Sequence, residues 1–538
     1  MNNKLTSSIG KFLTSPGILL IYLGILLSPA YAFSFQGFFR SAYPLIVLLA
    51  AINSWKAFLI ITFPILIFVP AAHFLQMTFN TPMNEGLWLI IEGSNVNEAT
   101  DYLRENALWP IALGIFTLIF WFFLYKKVKL ESPLISSKKI RYGMLFLIVI
   151  PLFHTFKGRH NIIGEFNHHF TESYPFNAIF SYGAAQEDLK RFKQKKDFEN
   201  INELKVFHPG PDDQTVVVVI GESSRKDRLQ LFGSPVPNNA ELSKISHEIF
   251  LFDNLITLHP HTVASLPVIF SKQTGINDNF KLNYSFLDVF KTAGYKTFWI
   301  SNQASLFGKT NMIGRFSESA DFRFFFHLHS SSSPTKHDGA ILDLFKEKMS
   351  DKSSKKLFVL HLQGSHYSFD KRYPSHFKRF DDKYDNTLLY TDYILAEVVK
   401  TLKEEERKSL MFYVADHGLL LNECGKKHSH FDNKESFEVP AILWTSNEWK
   451  LINSEKLEIL RNNQNKPLTT QVVFDSLLGL SGIQYSDYDL NLSIINQNVD
   501  VGKRLVKTYS GTVDYDLAQN DSSCHLREVS GLISDNSL

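Results

Sequence analysis

The chain contains 538 residues, and its 56 Lys and Arg residues nearly balance its 54 Asp and Glu residues. This balance excludes a protein that binds nucleic acid through a large overall positive charge. The two cysteines, Cys424 and Cys524, are too few for a disulfide scaffold, and they could either pair in an oxidising compartment or both be free. The length allows more than one domain, and the long apolar stretches lie in the first part of the chain.

This first part contains five apolar segments, at residues 16–33, 41–54, 57–79, 107–125 and 142–156. A membrane-spanning helix needs about 20 mostly apolar residues, which the third and fourth segments supply by themselves and the second and fifth only with flanking residues. The first segment could instead be a cleaved signal peptide, because Lys4 and Lys11 precede it. We favour a span, since four further segments follow. Residues 1–156 are therefore predicted to form a transmembrane domain of about five spans.

The charges of two loops predict the orientation of these spans. The loop before the fourth segment is acidic, whereas the loop before the fifth is basic. The positive-inside rule places the basic loop in the cytoplasm and the acidic loop outside. With five spans, the chain after about residue 157 lies outside; in a bacterium, this describes an inner-membrane protein with a periplasmic C-terminal domain. The basic loop contributes Lys126, Lys127, Lys129, Lys138, Lys139 and Arg141.

Residues 157–210 connect the apolar part to the rest of the chain. They include the stretch YPFNAIFSYGAAQEDLKRFKQKKDF, which contains both aromatic residues and lysine and arginine. This composition suits an amphipathic segment that lies on a membrane surface, and it equally suits an ordinary connecting helix. We describe 157–210 as a linking or interfacial segment.

Residues 211–538 have the pattern of a soluble α/β domain. Helical patterns, SFLDVFKTAGY up to Gly294 and NTLLYTDYILAEVVKTL, lie between apolar runs that resemble strands. Strands that are apolar throughout predict a buried, mostly parallel sheet covered by helices on both faces. In such a sheet, ligands bind at the carboxyl ends of the strands. The candidate strands are residues 216–220, 296–301, 357–364, 410–418 and 440–446.

Residues typical of metal sites follow three of these strands. Glu222 follows the first, with Gly221 expected to allow a sharp turn, and His366 follows the third. Asp416 and His417 lie at the end of the fourth. Carboxylates and imidazoles together suit zinc or manganese, so we predict a metal site at this edge of the sheet. The nearby stretch KKHSHF adds His428, with His430 as the alternate.

Each of these residues also has an ordinary structural explanation. Glu222 could lie in the first turn of a following helix, where the helix dipole favours an acidic residue. Asp416 could be a helix N-cap, and His366 and His428 could be surface residues. We favour the metal site because the ordinary explanations require a coincidence at three strand ends.

Thr262 is the candidate nucleophile. It follows Pro260 and His261 and begins an apolar, helix-like run. A threonine hydroxyl is a weak nucleophile until a metal or a base removes its proton, and a helix N-terminus beside a metal would stabilise the resulting alkoxide. The alternative is that Thr262 is only a helix N-cap.

The motifs together resemble a known family. They are VVVVIGESSR, N-x-x-T followed by T-x-x-S-x-P within residues 254–267, GSH, YDNTLLYTDYIL, and ADHG followed by a histidine and by VPAILW. These motifs, and the five spans before an α/β domain, are similar to those of the phosphoethanolamine transferases of the alkaline phosphatase/sulfatase superfamily. That family modifies lipid A or the core of lipopolysaccharide. The resemblance extends over nearly the whole chain and implies an alkaline-phosphatase-like C-terminal domain.

The resemblance implies specific roles. One zinc ion, or two, would be bound, and Thr262 would attack the phosphorus of phosphatidylethanolamine to form a covalent intermediate. His366 would protonate the departing diacylglycerol, and the group would pass to lipid A or a core sugar, which lowers the attraction of the envelope for cationic peptides such as polymyxin. Lys309 would lie near the phosphate, and His366 and His428 would hold the phosphoryl group or a second metal. The implied zinc ligands are Glu222, Thr262, Asp416 and His417.

Three departures from the family pattern favour the relatives that act on the core. Only two cysteines are present, Leu258 and Ile269 stand near a position where the family has a cysteine, and the run from Asp416 to Glu423 differs from DHGESLGE. The alternative enzymes are a membrane-anchored phosphodiesterase, sulfatase or phosphoglycerol transferase. Thr262 disfavours a sulfatase, which needs a modified Cys or Ser. A non-catalytic lipid- or glycan-binding membrane protein is the alternative from another class.

Overall fold

The computed structural model describes residues 16–31, 35–79, 83, 87–88, 91, 108–128, 133–146, 174–194, 204–271, 284–304, 316–327, 336–425, 431–508 and 511–529. The chain divides into two compact units. One comprises residues 1–89 and 102–188, and the other comprises residues 90–101 and 189–538. The predicted boundaries at residues 156 and 210 stay a prediction.

The described part of the chain up to residue 194 is helical. Helices α3 and α4 adjoin at Thr62, whose hydroxyl lies 2.7 Å from the hydroxyl of Tyr22 in the buried interior of this unit. The indole of Trp121 donates to the carbonyl of Leu59 at 2.9 Å, which ties α5 to α3. The helices are α1 (Pro16–Tyr31), α2 (Phe35–Ile52), α3 (Trp55–Ile61), α4 (Phe63–Phe79), α5 (Leu108–Lys127), α6 (Lys138–Phe146) and α7 (Phe176–Gln194).

Helix α5 is the single helix of the described residues that is long and apolar enough to cross a membrane unaided. Helix α3 and residues Phe63–Phe74 of α4 meet the same requirement together, with a bend of 49° between them. Helices α1 and α2 contain shorter apolar stretches, and α6 ends at Phe146, so the rest of the predicted fifth segment lies outside the described residues. The helices thus fall on the predicted apolar segments, but the count of about five spans is not confirmed.

Helix α5 exposes a broad apolar surface. Side chains such as Ile111, Ile115, Ile119 and Phe122 are each more than half exposed, at 57%, 55%, 64% and 56%. Such a surface is unusual in contact with water and is suited to contact with lipid.

The second unit contains a seven-stranded sheet with the strand order β3-β9-β8-β2-β7-β5-β6. Strand β2 lies at its centre and pairs in parallel with β7 and β8. Strand β9 runs antiparallel to both of its neighbours, so the sheet is mostly parallel, as predicted. All five predicted strands are present, and β3 and β6 are additional. The strands are β2 (Gln214–Gly221), β3 (Ile249–Leu251), β5 (Lys296–Ala304), β6 (Phe322–His327), β7 (Lys355–His361), β8 (Ser409–Ala415) and β9 (Ala441–Thr445).

Apolar side chains cover both faces of this sheet. The buried residues of β2 alternate between the two faces, as in any strand, and so contribute to two core clusters. Val216, Val218 and Ile220 belong to one core cluster, and Val217 and Val219 belong to another. Helices α9, α10 and α16 pack into the first cluster, and α11 and α12 pack into the second. These helices are α9 (Thr262–Phe270), α10 (Phe286–Thr292), α11 (Gly339–Met349), α12 (Lys383–Glu404) and α16 (Val472–Leu480).

Short elements complete the second unit. Cys424 and Cys524 form a disulfide that joins the segment after β8 to the turn between β14 and β15. The remaining strands are β1 (Val206–Pro209), β4 (Leu255–Ile256), β10 (Leu468–Thr469), β11 (Ile483–Tyr485), β12 (Leu505–Thr508), β13 (Gly511–Asp514), β14 (Ala518–Asn520) and β15 (Leu526–Glu528). The remaining helices are α8 (Ala240–Ser243), α13 (Lys434–Phe437), α14 (Asn447–Ile452) and α15 (Ser454–Asn463).

Candidate active site

The parallel register of the central strands brings the predicted site residues to one edge of the sheet. Ile220 of β2 pairs with His361 of β7, and Gly221 pairs with Ala415 of β8. The residues that directly follow these strands therefore lie beside one another. Glu222, Asp416 and His417 are among them, and each is almost completely buried.

The backbone around Glu222 differs from the prediction in two respects. Gly221 has no left-handed backbone angle; a Cβ at this position would lie 2.5 Å from the hydroxyl of Tyr413, so glycine is required by the close approach of that ring. The left-handed residue is Ser223, with a φ of 54°. The prediction that Gly221 allows the sharp turn was wrong, because a contact from the neighbouring strand decides this position.

The other ordinary explanation for Glu222 is also excluded. No α-helix begins directly after it; the chain forms two short 3-10 turns, at Lys226–Arg228 and Gln230–Phe232, before helix α8 begins at Ala240. A helix dipole therefore does not account for the carboxylate, which is 1% exposed.

Hydrogen bonds hold both oxygens of the Glu222 carboxylate. The hydroxyl of Ser223 donates to Oε1 at 2.6 Å. The hydroxyl of Thr262 and the amide Nε2 of Gln303 each donate to Oε2 at 3.0 Å. These donors fix the orientation of a buried carboxylate that would otherwise be costly to bury.

Asp416 and His417 face Glu222 from the end of β8. Oδ1 of Asp416 accepts from the backbone N–H groups of Ser223 at 3.2 Å and of His417 at 2.8 Å. Oδ2 of Asp416 is buried and accepts no hydrogen bond from the part of the chain that the structure describes. The chain after Asp416 forms a loop up to the short turn at Glu423–Gly425, so its explanation as a helix N-cap was wrong.

The two nitrogens of the His417 imidazole face different groups: Nδ1 faces the backbone, and Nε2 faces the carboxylates. Nδ1 lies 2.6 Å from the carbonyl oxygen of Gly418, and because a carbonyl only accepts, Nδ1 carries the proton. Nε2 carries a lone pair only when the ring is neutral, as it would be when bound to a metal. It lies 3.3 Å from Oε1 of Glu222 and 3.5 Å from Oδ2 of Asp416.

Thr262 completes the cluster as the first residue of helix α9. The N-cap residue of this helix is His261, so the explanation of Thr262 as the N-cap was wrong. Its hydroxyl oxygen lies 3.1 Å from Nε2 of His417 and donates to Glu222. The side chain thus faces the acidic and imidazole groups at the positive end of the helix dipole.

The buried acidic groups of the cluster favour a positive charge beside them. Burial and the charge of Glu222 raise the pKa of Asp416 to about 7. Burial opposes a charge on His417, but the carboxylates of Asp416 and Glu222 outweigh it and raise the pKa of His417 to about 9. Burial likewise opposes ionisation of Glu222, but the hydrogen bond and the charge of His417 lower its pKa well below the ordinary value. Two buried carboxylates this close to each other need a proton or a metal ion between them.

The donor set fits a metal ion. One ligand atom from each of Glu222, Asp416 and His417 lies within 4.8 Å of the others. Within the described chain, Oδ2 of Asp416 accepts no hydrogen bond, Nε2 of His417 faces both carboxylates, and the carboxylate of Glu222 is held in place, as a metal site requires. The hydroxyl of Thr262 supplies a fourth oxygen atom beside them.

The remaining predicted residues lie apart from this cluster or outside the described residues. His366 is half-buried, and its charge acts on Glu222, where it helps to lower the pKa of that carboxyl group. Its Nδ1 lies 2.9 Å from the carbonyl oxygen of Tyr367. Lys309, His428 and His430 lie outside the described residues.

Two supporting residues were absent from the prediction. Gln303 lies at the end of β5, and the rule that ligands meet the carboxyl ends of strands could have indicated it. Tyr384 of α12 is buried, and its hydroxyl donates to the carbonyl of Ser223 at 2.7 Å and accepts from the N–H of Arg225 at 2.8 Å. Tyr384 is the first residue of the motif YDNTLLYTDYIL, but the prediction gave it no role at the site.

Comparisons with known proteins identify the family of the chain and relatives of similar sequence and fold. The sulfatase family model matches residues 214–483. The chain is 24% identical over 492 residues to the phosphoethanolamine transferase EptC of Escherichia coli strain K12, covering 83% of this chain and 84% of the relative. These 492 residues exceed the length of the α/β unit, so the similarity includes helical sequence.

Two solved structures are similar in fold. The first is the C-terminal periplasmic domain of Escherichia coli EptC in complex with Zn, with 25% identity, a TM-score of 0.53, and coverage of 58% of this chain and 95% of that domain. The second is the integral membrane protein lipooligosaccharide phosphoethanolamine transferase A of Neisseria meningitidis, with 18% identity and a TM-score of 0.64 over 91% of this chain and 98% of that one. The fold is therefore that of a membrane protein with a sulfatase-type α/β domain, and the zinc-bound relative supports a metal at the cluster.

Proposed function

The chain belongs to the sulfatase family, and we propose that this member transfers phosphoethanolamine from phosphatidylethanolamine to lipopolysaccharide, on lipid A or a core sugar. The proposed enzyme lies in the bacterial inner membrane with about five spans in residues 1–156. Residues 157–210 link the spans to a catalytic domain, residues 211–538, in the periplasm.

One observation carries the proposal: the hydroxyl of Thr262 lies 3.0 Å from Glu222 and 3.1 Å from His417, within a cluster suited to a metal. A nucleophile built into a metal site is what a transferase with a covalent intermediate needs, and a binding protein does not need it. The similarity to EptC over most of both chains favours phosphoethanolamine as the transferred group.

Glu222, Thr262, Asp416 and His417 are the proposed ligands of one zinc ion. Bound zinc would favour ionisation of the Thr262 hydroxyl and neutralise negative charge that develops on the phosphoryl oxygens. Gln303 and Ser223 keep the Glu222 carboxylate oriented for this role through the hydrogen bonds at 3.0 and 2.6 Å.

In the first half-reaction, Oγ1 of Thr262 forms a bond to phosphorus, and the bond from phosphorus to the diacylglycerol oxygen breaks. The departing oxygen takes a proton from Nε2 of His366, because Nδ1 of that ring is engaged with the carbonyl of Tyr367. His366 donates as the doubly protonated imidazolium, and the hydroxyl proton of Thr262 passes to water, from which Oγ1 regains it in the second half-reaction.

In the second half-reaction, an acceptor oxygen of the glycolipid gives its proton to His366 and attacks phosphorus. The bond from phosphorus to Oγ1 breaks, and Thr262 is restored. Lys309 and His428, or His430 in its place, are the residues we propose to hold the phosphoryl oxygens. A membrane anchor suits this chemistry since the donor, the leaving group and the acceptor are all lipids.

The transfer is tested with the purified full-length protein in liposomes of phosphatidylethanolamine that contain lipopolysaccharide. We expect the acceptor to gain the mass of one phosphoethanolamine unit and diacylglycerol to appear in equal amount. Release of free phosphoethanolamine with no change in the acceptor would indicate a phosphodiesterase instead. The fragment of lipopolysaccharide that gains the mass distinguishes lipid A from a core sugar.

A further inference from the structure

We propose that Arg372 is a positioning residue that fixes the tautomer and the orientation of His366. The inference rests on the proposed role of His366 in proton transfer. The hydrogen bonds that the structure describes for Arg372 go to the backbone that carries the imidazole, and Arg372 acts through this backbone.

The guanidinium of Arg372 binds two consecutive carbonyl groups. Nε donates to the carbonyl oxygen of His366 at 2.9 Å, and Nη2 donates to that of Tyr367 at 2.5 Å. Arg372 is 5% exposed, so these charge-assisted bonds are largely shielded from water. The planar fork of an arginine is suited to hold two acceptors at once.

The carbonyl of Tyr367 connects the guanidinium to the imidazole. Its oxygen lies 2.9 Å from Nδ1 of His366 while it also accepts from Arg372. Since the carbonyl can only accept, the proton of the neutral ring is on Nδ1, and Nε2 is the atom left for proton transfer. The position of one oxygen atom therefore decides both the tautomer and the direction of the ring.

The neighbouring residues are held by other groups. The carboxylate of Asp338 accepts from the N–H groups of Gln363 and Gly364, each at 2.9 Å. The N–H of Ser365 donates to the carbonyl of Glu222 at 2.9 Å. The chain up to residue 365 is thus fixed without Arg372, whereas the carbonyls of the next two residues are bound by it.

The test is a double-mutant cycle in the full-length protein in liposomes, with transfer rate, zinc content and thermal midpoint measured for each variant. Arg372→Lys keeps the charge but cannot bind both carbonyls. We expect kcat to fall about 10- to 100-fold because the proton donor is misplaced, with KM for the donor lipid changed less than about 2-fold. Zinc content should stay at the wild-type level, because the lysine leaves all four proposed ligands intact.

The second arm uses His366→Ala. Adding Arg372→Lys to it should lower the rate by less than about 2-fold further, since the arginine acts through the missing imidazole. Losses that multiply in the double variant would overturn the inference. The matched control is Arg379→Lys, an exposed arginine whose Nε donates to the carbonyl of His376 at 3.1 Å, and it should retain wild-type activity.

Amide hydrogen exchange separates this inference from the proposed function. Arg372→Lys should speed exchange in the peptide that contains residues 366–368 and leave the ends of β2 and β8 unchanged. Unchanged exchange at residues 366–368, or faster exchange throughout the domain, would overturn the positioning role. A wild-type protein that transfers nothing would defeat the proposed function, while the exchange result would still decide whether Arg372 holds this segment.

Discussion

The hydroxyl oxygen of Thr262 lies 3.1 Å from Nε2 of His417, although 155 positions separate the two residues in the chain. Thr262 begins helix α9, and His417 follows strand β8, so their contact depends on how the helix packs on the sheet. This contact places a hydroxyl beside the imidazole nitrogen of His417 that faces the carboxylates of Glu222 and Asp416. The predictions below follow from that arrangement.

Removal of the metal should abolish transfer reversibly. Chelation would leave Glu222 and Asp416 buried at close range without a cation between them, which the protein can relieve only by protonation. We expect loss of transfer in a chelator and recovery on addition of Zn²⁺, measured as lipid product per minute. Full activity in metal-free protein, verified by elemental analysis, would contradict the metal site.

Gln303→Leu should weaken metal binding without unfolding the domain. The substitution removes the amide that donates to Oε2 of Glu222 at 3.0 Å and to the carbonyl of Leu362 at 3.0 Å. Loss of a group that orients a metal ligand typically costs about 10- to 100-fold in affinity. Competition with a zinc-binding dye would measure it. Equal affinity in the variant and the wild type would show that Ser223 and Thr262 suffice to hold the carboxylate.

Tyr384→Phe should destabilise the turn that carries Glu222. The phenol bridges the carbonyl of Ser223 and the N–H of Arg225, and its loss leaves two buried backbone groups without this partner, at a cost of about 1–3 kcal/mol. We expect a lower thermal midpoint. The matched control is Tyr393→Phe on the same helix, whose hydroxyl has no hydrogen bond among the described residues and should leave the midpoint unchanged.

Loss of the disulfide between Cys424 and Cys524 should lower stability strongly. The bond closes a loop with a sequence separation of 100 residues, for which the chain-entropy account gives about 4–5 kcal/mol. Cys424→Ser and the double serine variant should show the same lowered thermal midpoint, since either one breaks the bond. A reductant should lower the thermal midpoint of the wild type to that of the variants and leave the midpoints of the variants unchanged. A wild-type midpoint that does not change with reductant would contradict the prediction.

The parts of the fold that depend on local pattern could be predicted from the sequence. The apolar run from Val216 to Ile220 indicated a strand buried on both faces, and it is the central strand of the sheet. The direction of β9 could not be predicted, because an apolar run of five residues looks the same in either direction. The roles of the site residues stay predictions, although the structure brings four of them together.

The parts that depend on distant contacts could not be predicted. Gly221 is required by the ring of Tyr413 on the neighbouring strand, and a turn was expected there instead. Gln303 and Tyr384 reach the loop at Glu222 across 81 and 161 positions of the chain, respectively. The position of Gln303 at a strand end could have been noticed in the sequence, but the hydrogen bonds themselves follow from the packing of helices and strands, and no spacing in the sequence encodes them.

The central claim is that Thr262 becomes covalently modified, and mass spectrometry tests it most directly. The full-length protein is incubated with phosphatidylethanolamine in the absence of an acceptor, quenched in acid and digested. We predict that the peptide containing Thr262 gains the mass of one phosphoethanolamine unit and that fragmentation places this mass on Thr262. Lipopolysaccharide added before the quench should remove the added mass. Transfer by the wild type without any modified peptide, or continued transfer by Thr262→Ala, would contradict the account.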